Sequence, residues 1–429
     1  MPDFLSASSF EGLTLPEDAL SHRALAKNTL RWLVHMRPGS VLALQGSWGR
    51  GKTDVLARIM ELTRLDPPPP GVAAQALWVN PWQYGSPDLL TPVVRQLAER
   101  AEQKGFDPVR LRQITAELIQ AGTSFGLKAA GTVVPGGALL ALAAPEASRL
   151  IAQLTAPGAP PPSGDPVASM AANFRELAEG LLSPEERQVG GRLVLLIDDL
   201  DRCLPDRQVA LLQALRFLVS AGAPVSIVVA LDPVLARQGV LAHYRSTAFD
   251  PDLYLDKMFD LRINLGPVES EALNAFIQVQ LSRRVVVQNQ ERPLREVLPA
   301  GWAQLAVSAP SALKVQSLRN PRIVERVFDK VRLLASARRL PVLEQPGELK
   351  LALLYLVVAE RWPSVRRALT EKGAHEGLER LAAHVAGQAD PAFPDDDDFH
   401  RLFSDMPERQ GSARVVFPRI EQVLVGAGF

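Results

Sequence analysis

The stretch Gly46-Ser47-Trp48-Gly49-Arg50-Gly51-Lys52-Thr53 limits what this chain can fold into more than any other, because it fits the pattern G-x-x-x-x-G-K-S/T at every fixed position. Before it, Val41-Leu42-Ala43-Leu44-Gln45 is an apolar run of strand length; after it, Asp54 to Leu65 carries Val55, Leu56, Ile59, Met60 and Leu62 at helical spacing. Strand, glycine-rich turn and helix therefore come in the order this loop requires. Glycines allow turns that a Cβ resists, so successive N–H groups can converge on one anion, and the helix aims its positive end at the same point. Lys52 then reaches the β- and γ-phosphates of a nucleoside triphosphate, and the Thr53 hydroxyl can ligate a magnesium ion between them. Gly46, Ser47, Trp48, Gly49, Arg50, Gly51, Lys52, Thr53 and Asp54 form the expected nucleotide-binding set.

At 429 residues the chain has room for a nucleotide-binding core and a sizeable helical appendage. Lys plus Arg and Asp plus Glu both number 47, so no global field favours nucleic acid or an anionic membrane. Cys203 is the single cysteine, which excludes an internal disulfide and a cysteine-based zinc site. Met1 to Leu13 has neither a basic start nor an apolar run and does not read as a secretory signal, so a cytoplasmic protein is expected.

In order, residues 1–15 read as a polar lead-in. From Pro16 an amphipathic pattern with Ala24, Leu25, Leu30, Leu33 and Val34 runs to Pro38-Gly39. Ala76 to Asn80 reads as a second buried strand, followed by Pro81-Trp82-Gln83-Tyr84 and a helix capped by Ser86. Trp78, Trp82 and Tyr84 are expected to pack against the sheet rather than to recognise a flat ligand. Gly122 to Leu154 differs in kind: its uncharged run from Ala129 to Pro145 is short and rich in Ala and Gly for a membrane span. It reads first as a loosely packed insert, with a membrane-surface or partner-binding segment as the lesser alternative. Ala156 to Asp165 closes it as a Pro-rich linker.

The second chemical centre follows Gly190-Gly191. Arg192 to Ile197 is a strand suited to the middle of a parallel sheet, and it ends in Asp198-Asp199-Leu200-Asp201-Arg202. Ligands of open α/β sheets bind at the carboxyl ends of strands. Asp198 is the candidate metal-side acid opposite Thr53, and Asp199 is placed to orient or deprotonate an attacking water. Asp201 and Arg202 pair with each other, cap the next helix or project to a neighbouring subunit; the sequence leaves these open. Pro205 to Ala221 reads as a helix, and Val225 to Leu231 as another buried strand ending at Asp232, which either senses the γ-phosphate or caps the helix beginning at Pro233. Beyond about residue 265 the strands are expected to stop, with helices over Glu269 to Arg284, Pro321 to Arg339 and Pro346 to Arg361. Arg319 or Arg322, at the Asn320-Pro321 helix start, is a candidate charge-neutralising arginine or a plain surface ion-pair partner. The acidic run Asp395 to Asp398 reads as a solvated loop before a short helix.

On these residues the chain resembles the KAP family of P-loop NTPases, a group of signal-transducing NTPases allied to AAA+ proteins. The resemblance lies in the tryptophan inside the loop, in Val79-Asn80-Pro81-Trp82-Gln83-Tyr84, in Leu195 to Cys203, in Ala230-Leu231-Asp232, in Tyr254 to Met258 and in Asn320-Pro321-Arg322. It covers roughly residues 16 to 335. It implies ATP as the nucleotide, a switch role, and a setting like that of phage-exclusion and other bacterial defence proteins. Family members typically carry transmembrane helices between the two phosphate-site motifs, where this chain has its short Gly/Ala insert.

The expected fold is a three-layer α/β NTPase with a mainly parallel sheet. It divides into a lead-in (1–15), a first core part (16–121), an insert and linker (122–165), a second core part with the sensor strand (166–268) and a helical lid and tail (269–429). The expected chemistry is magnesium-dependent ATP binding and hydrolysis, with Lys52, Asp199, Asp232 and Arg322 as catalytic candidates and Thr53 with Asp198 at the metal. A nucleotide-gated scaffold with little hydrolysis and a nucleic-acid-dependent ATPase stay open, as does a protein partner or self-association through the helical tail.

Overall fold

The computed structural model describes residues 18–65, 73–83, 91–129, 166–220, 223–245, 249–299, 301, 319–336, 346–370, 374–404 and 406–426. The expected lead-in and the insert beyond residue 129 lie outside them. The chain divides into two compact units, one of Met1–Pro16 with His22–Leu265 and one of Glu17–Ser21 with Gly266–Phe429.

The first unit is built on a five-stranded sheet. In chain order it contains α1 (His22–His35), β1 (Val41–Gln45), α2 (Lys52–Thr63), β2 (Ala74–Val79), α3 (Thr91–Gln103), α4 (Pro108–Ala129), α5 (Pro166–Leu181) and α6 (Pro184–Gln188). There follow β3 (Arg192–Ile197), α7 (Pro205–Ser220), β4 (Val225–Leu231), α8 (Pro233–Tyr244), α9 (Pro251–Met258) and β5 (Leu261–Asn264). The strand order is β2-β3-β4-β1-β5, with every pairing parallel. Side chains alternate between two cores, as strand geometry requires. Val41, Ala43, Leu193, Leu195 and Ile227 face one core shared with α3, α4, α5 and α7, whereas Leu42, Leu44, Val194, Leu196 and Val228 face the other, shared with α1 and α2. Helices thus cover both faces of a parallel sheet, the three-layer arrangement expected.

Local boundaries shift where backbone chemistry overrides periodicity. The first helix starts at His22 rather than Pro16, because Ser21 takes a left-handed φ of 58° that breaks a helix. Helix α4 continues to Ala129, so the first residues assigned to the insert are helical. β5, which the apolar pattern did not announce, is held on β1 by Asp260: its Oδ2 accepts the Val41 N–H at 2.8 Å, and Arg216 and Arg37 pair with the same carboxylate at 2.7 and 3.0 Å. Burial opposes ionisation of Asp260, but Arg216, the Val41 amide and Arg37 outweigh it and hold the carboxyl below its ordinary range. A depressed carboxyl adds stability above its unfolded pKa and loses it as pH falls through the folded value. Asp260→Ala is therefore expected to cost about 2 kcal/mol near neutral pH, the scale of a hydrogen bond to a charged group, with the deficit closing below about pH 4. Urea melts of both proteins across that range measure it.

The second unit contains α10 (Ser270–Ser282), β6 (Arg284–Val287), β7 (Gln290–Pro293), α11 (Leu294–Val297), α12 (Pro321–Ser336), α13 (Pro346–Arg361), α14 (Pro363–Thr370), α15 (Ala374–Val385), α16 (Asp397–Phe403) and α17 (Met406–Gly426). Its centre is α13, apolar around its whole circumference and buried from Leu351 to Val358, the signature of a helix enclosed by others. Tyr355 of that helix donates to Glu421 of α17, which Arg366 of α14 also grips at 2.8 Å. The expectation that strands stop after residue 265 is corrected by the antiparallel β6–β7 hairpin. Gln288 and Asn289 turn it with φ of 57° and 61°, so Arg284, expected to end a helix, begins a strand. Asp396 caps α16 by accepting the Phe399 N–H at 2.6 Å, which gives the acidic run one structural task. Among the described residues no helix is long and apolar enough to cross a membrane.

Candidate nucleotide site

The ends of β1, β3 and β4 converge because β4 lies between the other two in the sheet. The loop after β1 is shaped by Gly49 and Gly51, at φ of 82° and 91°, a region that a Cβ makes costly. At Gly51 a Cβ would also lie 2.2 Å from His22 Cε1, so the His22 ring closes on the back of the loop. His22 Nδ1 is 2.7 Å from Asp54 Oδ2, to which Arg58 Nε donates at 3.2 Å. Burial disfavours the Asp54 anion, yet His22 and Arg58 prevail and hold its carboxyl below the usual range. Asp54 thus spends its side chain on fixing α1 against α2, while its backbone belongs to the first turn of α2.

Lys52 is buried, and its Nζ donates to the Gly46 carbonyl at 2.7 Å inside its own loop. Burial lowers its pKa from the ordinary lysine value, opposed by the charges of Asp201, Asp232, Asp198 and Asp199. Thr53 Oγ1 donates to Asp198 Oδ2 at 3.0 Å, across 145 residues of sequence. Burial first, and Asp199 next, push the Asp198 carboxyl up to about 6. Ser47 Oγ accepts from Arg50 Nε at 3.3 Å, and Trp48, half exposed, donates its Nε1–H to Asp201 Oδ2 at 3.1 Å.

Asp199 takes a left-handed φ of 54°, rare outside glycine, Asn and Asp. One of its oxygens accepts from Asn80 Nδ2 at 3.0 Å; the other lies 2.8 Å from Arg202 Nε. Asp201, by contrast, turns inward: its Oδ2 accepts the Asp232 N–H at 3.0 Å and lies 3.9 Å from Lys52 Nζ. The pairing of Asp201 with Arg202 left open by the sequence is thus not the one formed. Asp232 caps α8 by accepting the Val234 N–H at 2.9 Å, and it stands close enough to add to the field on Lys52. Arg322 belongs to the second unit, on the first turn of α12, where its N–H donates to Asn320 Oδ1 at 3.1 Å. Of the three aromatics expected against the sheet, Trp78 is in the core, Tyr84 lies outside the described residues, and Trp82 is instead half exposed beside Arg202.

The loop thus gathers Lys52 and Thr53 with Asp198, Asp199, Asp201 and Asp232. Sequence reasoning missed the inward role of Asp201, the Asn80 contact and the His22 contact. The first had a signal: three acids within four residues at a strand end, in a chain whose phosphate loop carries a lysine. Asn80 and His22 had none, since their neighbours come from elements remote in sequence.

Among solved structures, one match is the Aeropyrum pernix ORC2 protein in ADPNP–ADP complexes, at 10% identity over 97% of each chain with a TM-score of 0.37. A search of curated proteins gives no match. The family description "KAP family P-loop domain" matches residues 23–337, well over half of the sequence. With that match, and with a parallel sheet that brings the glycine-rich loop to the two acids of β3, the chain belongs to the KAP family of P-loop NTPases.

Proposed function

We propose that the chain is a magnesium-dependent ATPase that works as a molecular switch, with bacterial defence or signalling as its setting. The observation that carries this reading is the meeting of Lys52 and Thr53, on the loop and helix after β1, with Asp198 and Asp199 at the end of β3. The loop amides and Lys52 bind the phosphates and stabilise charge on the transferred group. Thr53 and Asp198 offer a hydroxyl and a carboxylate, hard oxygen donors 3.0 Å apart, and among the described residues no cluster of three or more His, Cys, Asp or Glu competes as a metal site. That donor set fits magnesium, which keeps several waters and takes one or two protein oxygens beside phosphate. When bound, the ion neutralises phosphate charge. Asp199 directs and deprotonates the water, and Asp232 holds the end of β4 in place; Arg322 stays a catalytic candidate by sequence, on the first turn of α12 in the helical unit.

In this reading the nucleotide state sets how the helical unit packs and engages a protein partner or a second copy. A nucleotide-gated scaffold with little turnover is the second reading, favoured by one observation: both oxygens of Asp199 already have cis partners. Steady-state phosphate release from ATP and GTP, with and without magnesium, tests the proposal. Magnesium-dependent turnover of ATP is expected. Binding of ATP without turnover would replace the ATPase by the scaffold.

A further inference from the structure

The phosphate-loop pattern asks nothing of the position occupied by Trp48, and a half-exposed indole there needs another reason. The same holds for Trp82, half exposed at the turn after β2. Between them lies one guanidinium. Arg202 Cζ is 5.9 Å from the Trp48 ring centroid and 5.6 Å from that of Trp82, both within the range of cation–π attraction. Its Nε is 2.8 Å from Asp199 Oδ1. The ring of contacts closes on the other side: Asn80 donates to Asp199 Oδ2 at 3.0 Å and its Oδ1 accepts the Trp82 N–H at 3.1 Å.

We propose that Arg202 is a positioning residue for Asp199, and that Trp48 and Trp82 act by clamping its guanidinium from two segments, so that the phosphate loop helps to aim the acid. This rests on the hydrolytic reading above for its effect on rate, but not for the clamp itself. Three arguments carry it. An exposed ion pair of a flexible arginine orients little, because the side chain keeps its freedom; one flanked by two indoles does not. Asp199 sits in a left-handed backbone state that outside contacts must maintain, and Asn80 and Arg202 are the contacts it has at its two oxygens. Finally, Trp48 is also tied through Nε1 to Asp201, the acid nearest Lys52 among those charges, so a shift of the loop moves one wall of the clamp.

The test compares wild type with Arg202→Ala, Arg202→Lys, Trp82→Ala, Trp82→Phe and the double change Arg202→Ala with Trp82→Ala. Three quantities are read: kcat for phosphate release, Kd for a fluorescent non-hydrolysable ATP analogue, and acrylamide quenching of tryptophan emission in the protein alone. Arg202→Ala and Trp82→Ala are expected to lower kcat about tenfold or more while Kd changes less than about threefold, the split of a group that acts at the reaction step. Trp82→Phe should restore most of the rate, since it keeps an aromatic face, whereas Arg202→Lys should not, since an ammonium lacks the planar fork. The double change should be no worse than either single one. Arg202→Ala should also raise quenching, as two indoles lose their cover. Independent, multiplying losses in the double change, or equal losses in kcat and binding, would overturn the proposal. Should the wild type bind ATP without turning it over, the ATPase reading fails by itself and quenching decides the clamp: no rise in Arg202→Ala, or in Arg202→Lys if the alanine variant does not fold, overturns it.

Discussion

Lys52→Ala is expected to weaken binding of magnesium-ATP by at least about 100-fold and to reduce phosphate release by a comparable or larger factor. The loss of one preorganised donor at a developing oxyanion costs about 100- to 1000-fold in rate. Here the local field adds to it. The Lys52 ammonium faces Asp198, Asp199, Asp201 and Asp232, and among these Asp201 is almost wholly buried with its Oδ2 3.9 Å from Nζ. With the lysine gone, the cluster presents more net negative charge to a triphosphate, Asp199 still being paired with Arg202. Burying an unpaired charge is costly, so the variant should also melt lower than wild type in the absence of nucleotide. Lys52→Met keeps the volume and loses the charge, and it should bind as poorly as the alanine variant. Fluorescent-nucleotide titration beside thermal melts reads both effects. Binding within tenfold of wild type in either variant would remove Lys52 from the phosphate site.

The parts of the fold that were legible in the sequence are those in which local pattern and tertiary role coincide. Val41 to Gln45 and Val225 to Leu231 are apolar but for Gln45 and Ser226 and are buried at every position, because both faces of a central parallel strand are covered, so their pattern names their place. The glycines of the loop name theirs, because backbone with positive φ at Gly49 and Gly51 excludes most other residues. Legibility fails for β5, four residues long, whose ladder with β1 is joined at its start by a carboxylate–amide bond from Asp260 to Val41. It fails again at the β6–β7 hairpin, whose turn uses Gln288-Asn289 where the strong sequence signal would be Asn-Gly.

At the site the division is the same. The loop and the acids of β3 are local strings. What joins them is sheet order: β2 lies beside β3, which places Asn80 against Asp199, 119 residues on, and β4 separates β3 from β1, which brings the Asp232 amide to Asp201. No window of sequence contains that order. Trp82 shows the consequence. Composition favours packing for an aromatic residue, and it is the turn after the neighbouring strand β3 that supplies the guanidinium over its ring.

Asp199→Asn is expected to lower kcat by about 100- to 10,000-fold, the range for a general base, with nucleotide binding within a few-fold of wild type. Asparagine is the substitution that isolates the charge. It tolerates the left-handed backbone of Asp199 better than other L residues, so the turn into Leu200–Arg202 is kept. Its carbonyl oxygen can still accept from Asn80, while the ion pair with Arg202 and the capacity to take a proton are lost. Asp198 remains beside Thr53 with one like charge fewer at its side, so nothing in the change weakens the metal-side acid. Asp199→Ala removes the same charge but places a residue that resists positive φ at this turn, and it should lose stability that the asparagine variant keeps. Phosphate release, nucleotide titration and melting of the two variants separate these terms. If Asp199→Asn turns over at the wild-type rate, Asp199 is an architectural acid that anchors Arg202 and Asn80. If binding falls with rate, the carboxylate serves the nucleotide pocket itself. Only loss of rate with binding retained assigns it the water.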